Sequence, residues 1–429
     1  MAVANTVSTM NGFYKDIYGD SIIDLIPRIQ KVLKGVPFYK SKKLGKFYHV
    51  PVVVQDEQGF TYNNGTDVSA GGSFGNMFSL NGYEAMAMAD AQIRGTELVL
   101  QSGVSYGAAE TASSSKEAFA EFSSVLFERM VESTSKRKEI AYLYGGSSIG
   151  SFNAVTTVSS TRRTITFTGA SFSIGIFSGL KGAKIQFYNS TSLVSSGADS
   201  IFTVYSFDIA NKKLTVDGTS TGCTALSTAI GTPATVDAYF NGAYGNEPVG
   251  IDKIITTAGT LFGIDNSVYD LFQGNTYTVA SGALTMDHIQ KAVAVAAGRG
   301  LNEDVTALMT PSQYTKLALD QSSSRKYDQS YNGKKGVNGF NSLEYHGPQG
   351  GLIKVEPHPY MKDGDVFIIP FDKFKRVGST DMTFQTPGRE EEIFTQVPDK
   401  AGYEVRLYCN DAIFCEAPSR CVKITGFTV

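Results

Sequence analysis

The sequence predicts an α+β chain in which a small all-β unit stands between one long helix and a layered α/β region. Three observations predict it. Helix-spaced apolar residues run from Ser114 to Gly146; the tract Ser147 to Glu247 is poor in charge and broken into short β-rich runs; and from Pro248 onward helical and buried-strand patterns alternate. With 429 residues, 42% of them hydrophobic, the chain can bury a large core and should divide into about two to four domains.

The amino end is the least patterned part. Met1 to Gly12 has no periodicity and reads as an arm, and Ile17 to Leu33 is apolar but interrupted by Pro27. Between Leu25 and Gln55 there is no acidic residue, while Arg28, Lys31, Lys34, Lys40, Lys42, Lys43 and Lys46 supply seven cations. Such a run is either a solvated face or a surface that docks on an acidic neighbour. The strongest acidic cluster is Glu390-Glu391-Glu392, which makes these two segments candidates for complementary assembly contacts.

Phe47 to Val54 is β-rich and Tyr83 to Leu100 alternates, with a turn-dense tract from Asp56 to Ser79 between them. The pattern suggests two strands returning antiparallel around a long tip. A hairpin so poor in large apolar residues cannot fold alone and must lie on its own body or on another subunit.

Ser114 with Glu117 forms a capping box at the start of the long helix, and Phe119, Phe122, Val125, Leu126 and Met130 follow at helical spacing. Gly145-Gly146 supplies the stop. From Glu132 to Glu139 no side chain is apolar, so the middle of the helix is expected to be wet and to cross a surface.

Within Ser147 to Glu247, strands are expected at Arg163 to Thr168, Ala183 to Asn189, Ile201 to Asp208, Lys213 to Asp217 and Thr235 to Phe240, divided by turn signals as in a small barrel or sandwich. Beyond it, Thr285 caps a helix that puts Ile289, Ala292, Val293 and Ala296 on one face and closes at Gly298. Val305 to Met309 reads as a buried strand, and Thr310-Pro311 opens a further helix carrying Tyr314, Leu317 and Ala318. Leu352 to Val355, Val366 to Ile369, Tyr403 to Cys409, Ala412 to Cys415 and Cys421 to Phe427 are further strands.

Chemistry is hard to find. Net charge is −3, which argues against avid sequence-independent DNA binding by the whole surface. No apolar run is long enough to cross a membrane, and Met1 to Met10 lacks a charged start with an apolar core, so an unexported protein is expected. Cys223, Cys409, Cys415 and Cys421 lack the paired spacing of a zinc knuckle and read as reduced, packed thiols. His346, Glu356 and His358 match no chelate spacing and read as surface residues, so no metal and no cofactor is expected. Gly71-Gly72-Ser73-Phe74-Gly75 matches a nucleophile-elbow pattern, but neither flank supplies the strand or the helix that the chemistry requires.

The order of parts resembles the major capsid proteins of tailed bacteriophages, with the Hong Kong 97-type fold. The resemblance rests on Gly250-Ile251-Asp252-Lys253-Ile254 leading to Leu261-Phe262-Gly263-Ile264-Asp265, on Leu308-Met309-Thr310-Pro311, and on Gly350-Gly351-Leu352-Ile353-Lys354-Val355 before Asp365-Val366-Phe367-Ile368-Ile369-Pro370. It implies an amino-terminal arm over 1–46, an extended hairpin loop over 47–108, the spine helix of a peripheral domain over 109–146, a β-rich insertion over 147–247, an axial domain over 248–365 and returning strands over 366–429. It also implies a non-enzymatic role: self-assembly into hexamers and pentamers of an icosahedral shell around double-stranded DNA, formed in the bacterial cytoplasm. Scaffolding, portal and decoration proteins would be partners, with weak non-specific contact to packaged DNA and no membrane. The lysine-to-asparagine cross-link of the family's founding member is not expected, because Phe47 to Ser115 contains no lysine. Two other readings remain open: a secreted β-rich adhesin or carbohydrate-binding protein, which would favour aromatic platforms although tryptophan is absent, and a hydrolase built on Ser73.

Overall fold

The computed structural model describes residues 30–40, 46–62, 80–107, 116–230, 235–280, 282–324, 343–385, 393–398 and 400–429, without the side chains of 116–124 and 320–324. A short helix α1, Lys31–Gly35, buries Val32 and Leu33 and leads to β1, Phe38–Lys40. Strands β2, Tyr48–Gln55, and β3, Ala87–Ile93, then form a two-stranded antiparallel ribbon with Tyr48 opposite Ile93 and Val52 opposite Ala89. The base of this ribbon is anchored by buried Tyr48, Ala91 and Ile93, whereas Phe60, Tyr62, Leu80 and Tyr83 beyond it are exposed. The chain returns through β4, Thr96–Ser105.

Helix α2, Lys116–Tyr144, is 29 residues long. At about 1.5 Å per residue it spans roughly 45 Å. Ser114 of the expected capping box lies outside the described residues. At its other end Gly145 N donates to Ala141 O at 2.7 Å, and Gly146 turns the chain away at φ +74°. Gly145 is required for a second reason: a Cβ there would stand 2.2 Å from Pro248 O.

The expectation of a wet middle for this helix is overturned. Thr134, Ser135, Lys138 and Glu139 are buried. Ser135, Lys138 and Glu139 meet partners on other elements there, and a hydropathy pattern cannot register partners supplied by distant segments.

The inserted unit is a closed barrel. Strands β5 (Gly150–Thr157), β6 (Arg162–Phe167), β7 (Lys184–Asn189), β8 (Ser192–Leu193), β9 (Phe202–Asp208), β10 (Lys213–Asp217) and β11 (Val236–Phe240) pair in the order β11-β5-β6-β10-β9-β7-β8. The ring closes because β11 also pairs with β7, Ala238 opposite Phe187. Phe152, Phe167, Phe177, Phe187 and Phe202 fill the interior, in edge-on and tilted contacts such as Phe152 to Phe187 at 5.2 Å. The barrel also has elements beyond those expected: strand β5, from Gly150, the four-residue helix α3, Ile174–Phe177, and the ten-residue helix α4, Ser220–Ala229. The second helix is weakly signalled by its Ser/Thr/Gly composition; it forms because Thr219 accepts Gly222 N at 3.0 Å and Cys223 and Leu226 are buried.

The next region runs through α5 (Ile251–Ile254), the small hairpin β12 (Thr260–Leu261) and β13 (Ile264–Asp265), β14 (Asn275–Thr278), α6 (Met286–Ala297), β15 (Val305–Met309), α7 (Pro311–Ser324), β16 (Leu343–His346), β17 (Leu352–Pro357) and β18 (Val366–Ile369). With the final strand β22, Val422–Thr425, these make a six-stranded mixed sheet ordered β14-β22-β18-β15-β17-β16. β15 is buried throughout, as a central strand covered on both faces should be. α6 buries Ile289, Ala292, Val293 and Ala296 as its spacing predicts. Its ends differ, since Thr285 occupies the cap position without a side-chain bond, and Gly298 is right-handed while Gly300 makes the reversal at φ +93°.

The last sheet joins both ends of the sequence. β19 (Phe374–Thr383), β20 (Phe394–Gln396) and β21 (Gly402–Cys415) combine with β1 in the order β1-β19-β21-β20, and β4 lies along the other side of β21. The two expected strands at Tyr403 to Cys409 and Ala412 to Cys415 are one 14-residue strand, because Asn410 and Asp411 are buried and paired instead of forming a turn.

Candidate functional site: the ionic junctions along the central helix

Helix α1 begins without a capping side chain at Gln30. Its first amides would therefore lack acceptors. Glu139 of α2, more than a hundred residues later, supplies them: Val32 N donates to Oε1 at 2.7 Å and Leu33 N to Oε2 at 2.8 Å. His358, just beyond β17, completes the set with Nε2 at 2.9 Å from Glu139 Oε1, both side chains having no exposed surface. Tyr360 N donates to His358 Nδ1 at 3.2 Å, so the ring proton sits on Nε2 and points at the carboxylate. One carboxylate thus ties together the amino-terminal segment, the long helix and the axial region. The expectation that His358 is a surface residue is corrected; Pro357 and Pro359 hold it extended, but into the interior.

From the residue before Glu139, Lys138 Nζ lies 2.8 Å from Asp411 Oδ2, and Tyr142 Oη donates to the same oxygen at 2.6 Å. Arg376 of β19 approaches Asp411 at 3.7 Å and Asp381 at 3.2 Å, while its Nε donates to Val36 O at 3.0 Å. Burial, together with the neighbouring Asp411 charge, pushes the Tyr142 hydroxyl well above its ordinary value, so it remains a donor. Two cations facing two carboxylates and a tyrosine fix α2 against the last sheet.

A third junction closes the helix end. Lys423 of β22 contacts Asp252 and lies 3.2 Å from Asp365, Ser147 Oγ donates to Asp252 at 2.5 Å, and Lys362 Nζ donates to Ser148 O at 2.7 Å. Burial alone would raise the Asp252 carboxyl, but Lys423 and Lys362 hold it below its usual range. For Asp365 burial wins and the shift is upward; burial likewise lowers Lys362. The barrel seats against the same region: Asp363 N donates to Phe172 O at 2.9 Å and Gly364 N to Ala170 O at 2.8 Å.

Of the residues singled out as assembly contacts, Lys31, Lys34, Lys40 and Lys46 are among the described residues. Lys31 pairs with Glu356 of the same chain at 2.6 Å, while Lys34, Lys40 and Lys46 are exposed. Arg28, Lys42, Lys43, Glu390, Glu391 and Glu392 lie outside the described residues, as do Ser73 and its glycines. The junction residues Lys138, Glu139, His358, Lys362, Asp411 and Lys423 were missed because each is ordinary in sequence; the unbroken polar run at 132–139 was the one signal that could have found two of them. All four cysteines are buried and free, and among the described residues no group of three or more His, Cys, Asp or Glu could hold a metal. No described helix is long and apolar enough to cross a membrane.

A family model described as SU10 major capsid protein matches residues 237–390, a little over a third of the chain, from the last barrel strand through the axial sheet to the acidic cluster. No curated sequence matches the chain. Among solved structures, the cyanophage A-1(L) capsid asymmetric unit is similar at TM-score 0.54 and 10% identity over 96% of each chain, a likeness of fold. The capsid of the native GTA particle aligns at TM-score 0.48 and 8% identity over 100% of both chains, and the capsid of cyanophage P-SCSP1u at 0.44 and 10% over 97% of this chain and 94% of that one. The likeness across the whole length shows that the chain shares the fold of that cyanophage capsid protein, the Hong Kong 97-type fold, and the family match falls within it.

Proposed function

We propose that copies of this chain build hexamers and pentamers of an icosahedral shell around double-stranded DNA, assembling in the bacterial cytoplasm, without catalysing a reaction. The observation that carries this reading is the ribbon β2–β3. It projects beyond its buried base and leaves Phe60, Tyr62, Leu80 and Tyr83 exposed, at 64%, 93%, 76% and 97% of their surface. Four large side chains in one projecting loop favour a surface covered by another copy. Burial of such side chains stabilises by about 1.5–3 kcal/mol each, and a closed shell repeats that gain at every subunit.

The basic segment supports a second contact. Lys34, Lys40 and Lys46 have exposed side chains free to meet a neighbour, and Glu390, Glu391 and Glu392 are the matching acids in sequence. Lys31 is better assigned to its own chain through Glu356. Scaffolding, portal and decoration proteins and weak contact with packaged DNA fit the same reading. The domain limits 1–46, 47–108, 109–146, 147–247, 248–365 and 366–429 are its working division. Replacing Phe60, Tyr62, Leu80 and Tyr83 together by serine tests it: particle formation should be lost in light scattering while circular dichroism and melting of the subunit are retained. Normal particles from that variant would refute the role given to the ribbon.

A further inference from the structure

Cys415 ends β21 and Cys421 directly precedes β22, so the pair stands where the chain passes from the sheet shared with β1 and β4 to the axial sheet. Their sulfurs are 3.8 Å apart and neither side chain is exposed. A disulfide needs about 2.05 Å, so the sulfurs must close by about 1.8 Å. The connector between them is a short turn, Pro418–Arg420, held by Cys421 N to Pro418 O at 2.9 Å and by the Arg420 to Glu303 pair at 2.7 Å. A cavity of about 210 Å³ borders that turn through Glu416, Ala417, Ser419 and Arg420, with Val52 and Phe272 opposite. The turn therefore has room to shift on one side without displacing the packed core.

We infer that Cys415 and Cys421 are a latent disulfide site, which closes when the folded chain meets a low-molecular-weight disulfide and clamps the end of β21 to the start of β22. One protein thiolate attacks the small disulfide, forming a mixed disulfide and releasing one small thiol. The second protein thiolate then attacks the protein-side sulfur and expels the other small thiol. The two protons of the protein thiols end on the two released thiols: the protein pair is oxidised and the small disulfide reduced. Burial, with the Cys415 thiol beside it, pushes the Cys421 thiol well above its ordinary value, so the exchange is slow at neutral pH and faster toward alkaline pH. A reducing cytoplasm keeps the site open during synthesis, and a particle outside the cell meets the oxidant. Cys223 and Cys409, also buried and free, serve as internal controls.

The test incubates the full-length folded protein with oxidised glutathione, then denatures and alkylates it. Two of the four thiols should be lost to alkylation, with a mass fall of about 2 Da for two hydrogens removed. A tryptic digest should link the peptide Leu407 to Arg420 with Cys421 to Lys423, a linkage kept in Cys409→Ser and abolished in Cys415→Ser. If Cys415→Ser does not fold, fragment mapping of the linked wild-type peptide to Cys415 rather than Cys409 decides the same point. Four alkylatable thiols after treatment at pH 8.5, a stalled glutathione adduct, or a linkage through Cys223 or Cys409 would overturn the inference.

Discussion

Glu139 Oε1 stands 2.9 Å from His358 Nε2 with both side chains wholly buried, and the same carboxylate also accepts the amides of Val32 and Leu33. Removing it leaves three donors unpaired in the interior. Leaving such buried donors without an acceptor costs about 1–3 kcal/mol each. Glu139→Ala should lose that much in chemical denaturation of the unassembled subunit, and Glu139→Gln less, because the amide oxygen still accepts. A loss under about 1 kcal/mol for the alanine variant, the level of a single ordinary hydrogen bond, would mean the junction is replaceable.

Glu247 gives a pH dependence with a definite sign. Burial pushes its carboxyl up to about 7 from 4.5, against the lowering by Arg137 and by the amide of Gly146. The folded protein therefore holds this proton where the unfolded chain has released it. Its contribution is fully present below about pH 4.5 and is lost as pH rises through about 7. Melting curves from pH 5 to 8 should show this decline, and Glu247→Gln should flatten it. An unchanged slope in the variant would contradict the assignment.

Gly175 tests how the barrel sits on the axial region. A Cβ there would meet Pro359 O at 2.4 Å, two backbones in direct approach. Gly175→Ala should lower the stability of the whole chain by more than 1 kcal/mol while leaving the isolated segment 147–247 cooperatively folded, because β11 closes the ring without help from outside. Equal losses in both would place the effect inside the barrel.

What the sequence disclosed divides along physical lines. Strands β6, β7, β9, β10 and β15 and the apolar face of α6 were legible because period and burial coincide there. The junctions were not, because Lys138 and Glu139 look solvated until Asp411, His358 and the amides of α1 are brought beside them. Helix α4 was hidden for a similar reason, its stability resting on the burial of Cys223 and Leu226 more than on its Ser/Thr/Gly residues. The arm and the acidic cluster were legible as charge alone, which identifies no partner.

Composition gives the ribbon and its flanks no lysine nucleophile. Phe47 to Ser115 holds no lysine, and its Arg94 donates to Gly245 O at 3.2 Å. Boiled, reduced particles should run as one band near 46.2 kDa. A reductant-resistant ladder would direct attention to another amine, such as Lys46 at the ribbon's base.

Microscopy of the purified protein tests most directly whether the chain is a shell subunit. Negative-stain images of the full-length protein under assembly conditions should show closed shells or ring-shaped capsomers of five and six copies. A monodisperse 46.2 kDa monomer at every salt and protein concentration tried, with or without a co-expressed scaffolding protein, would contradict it.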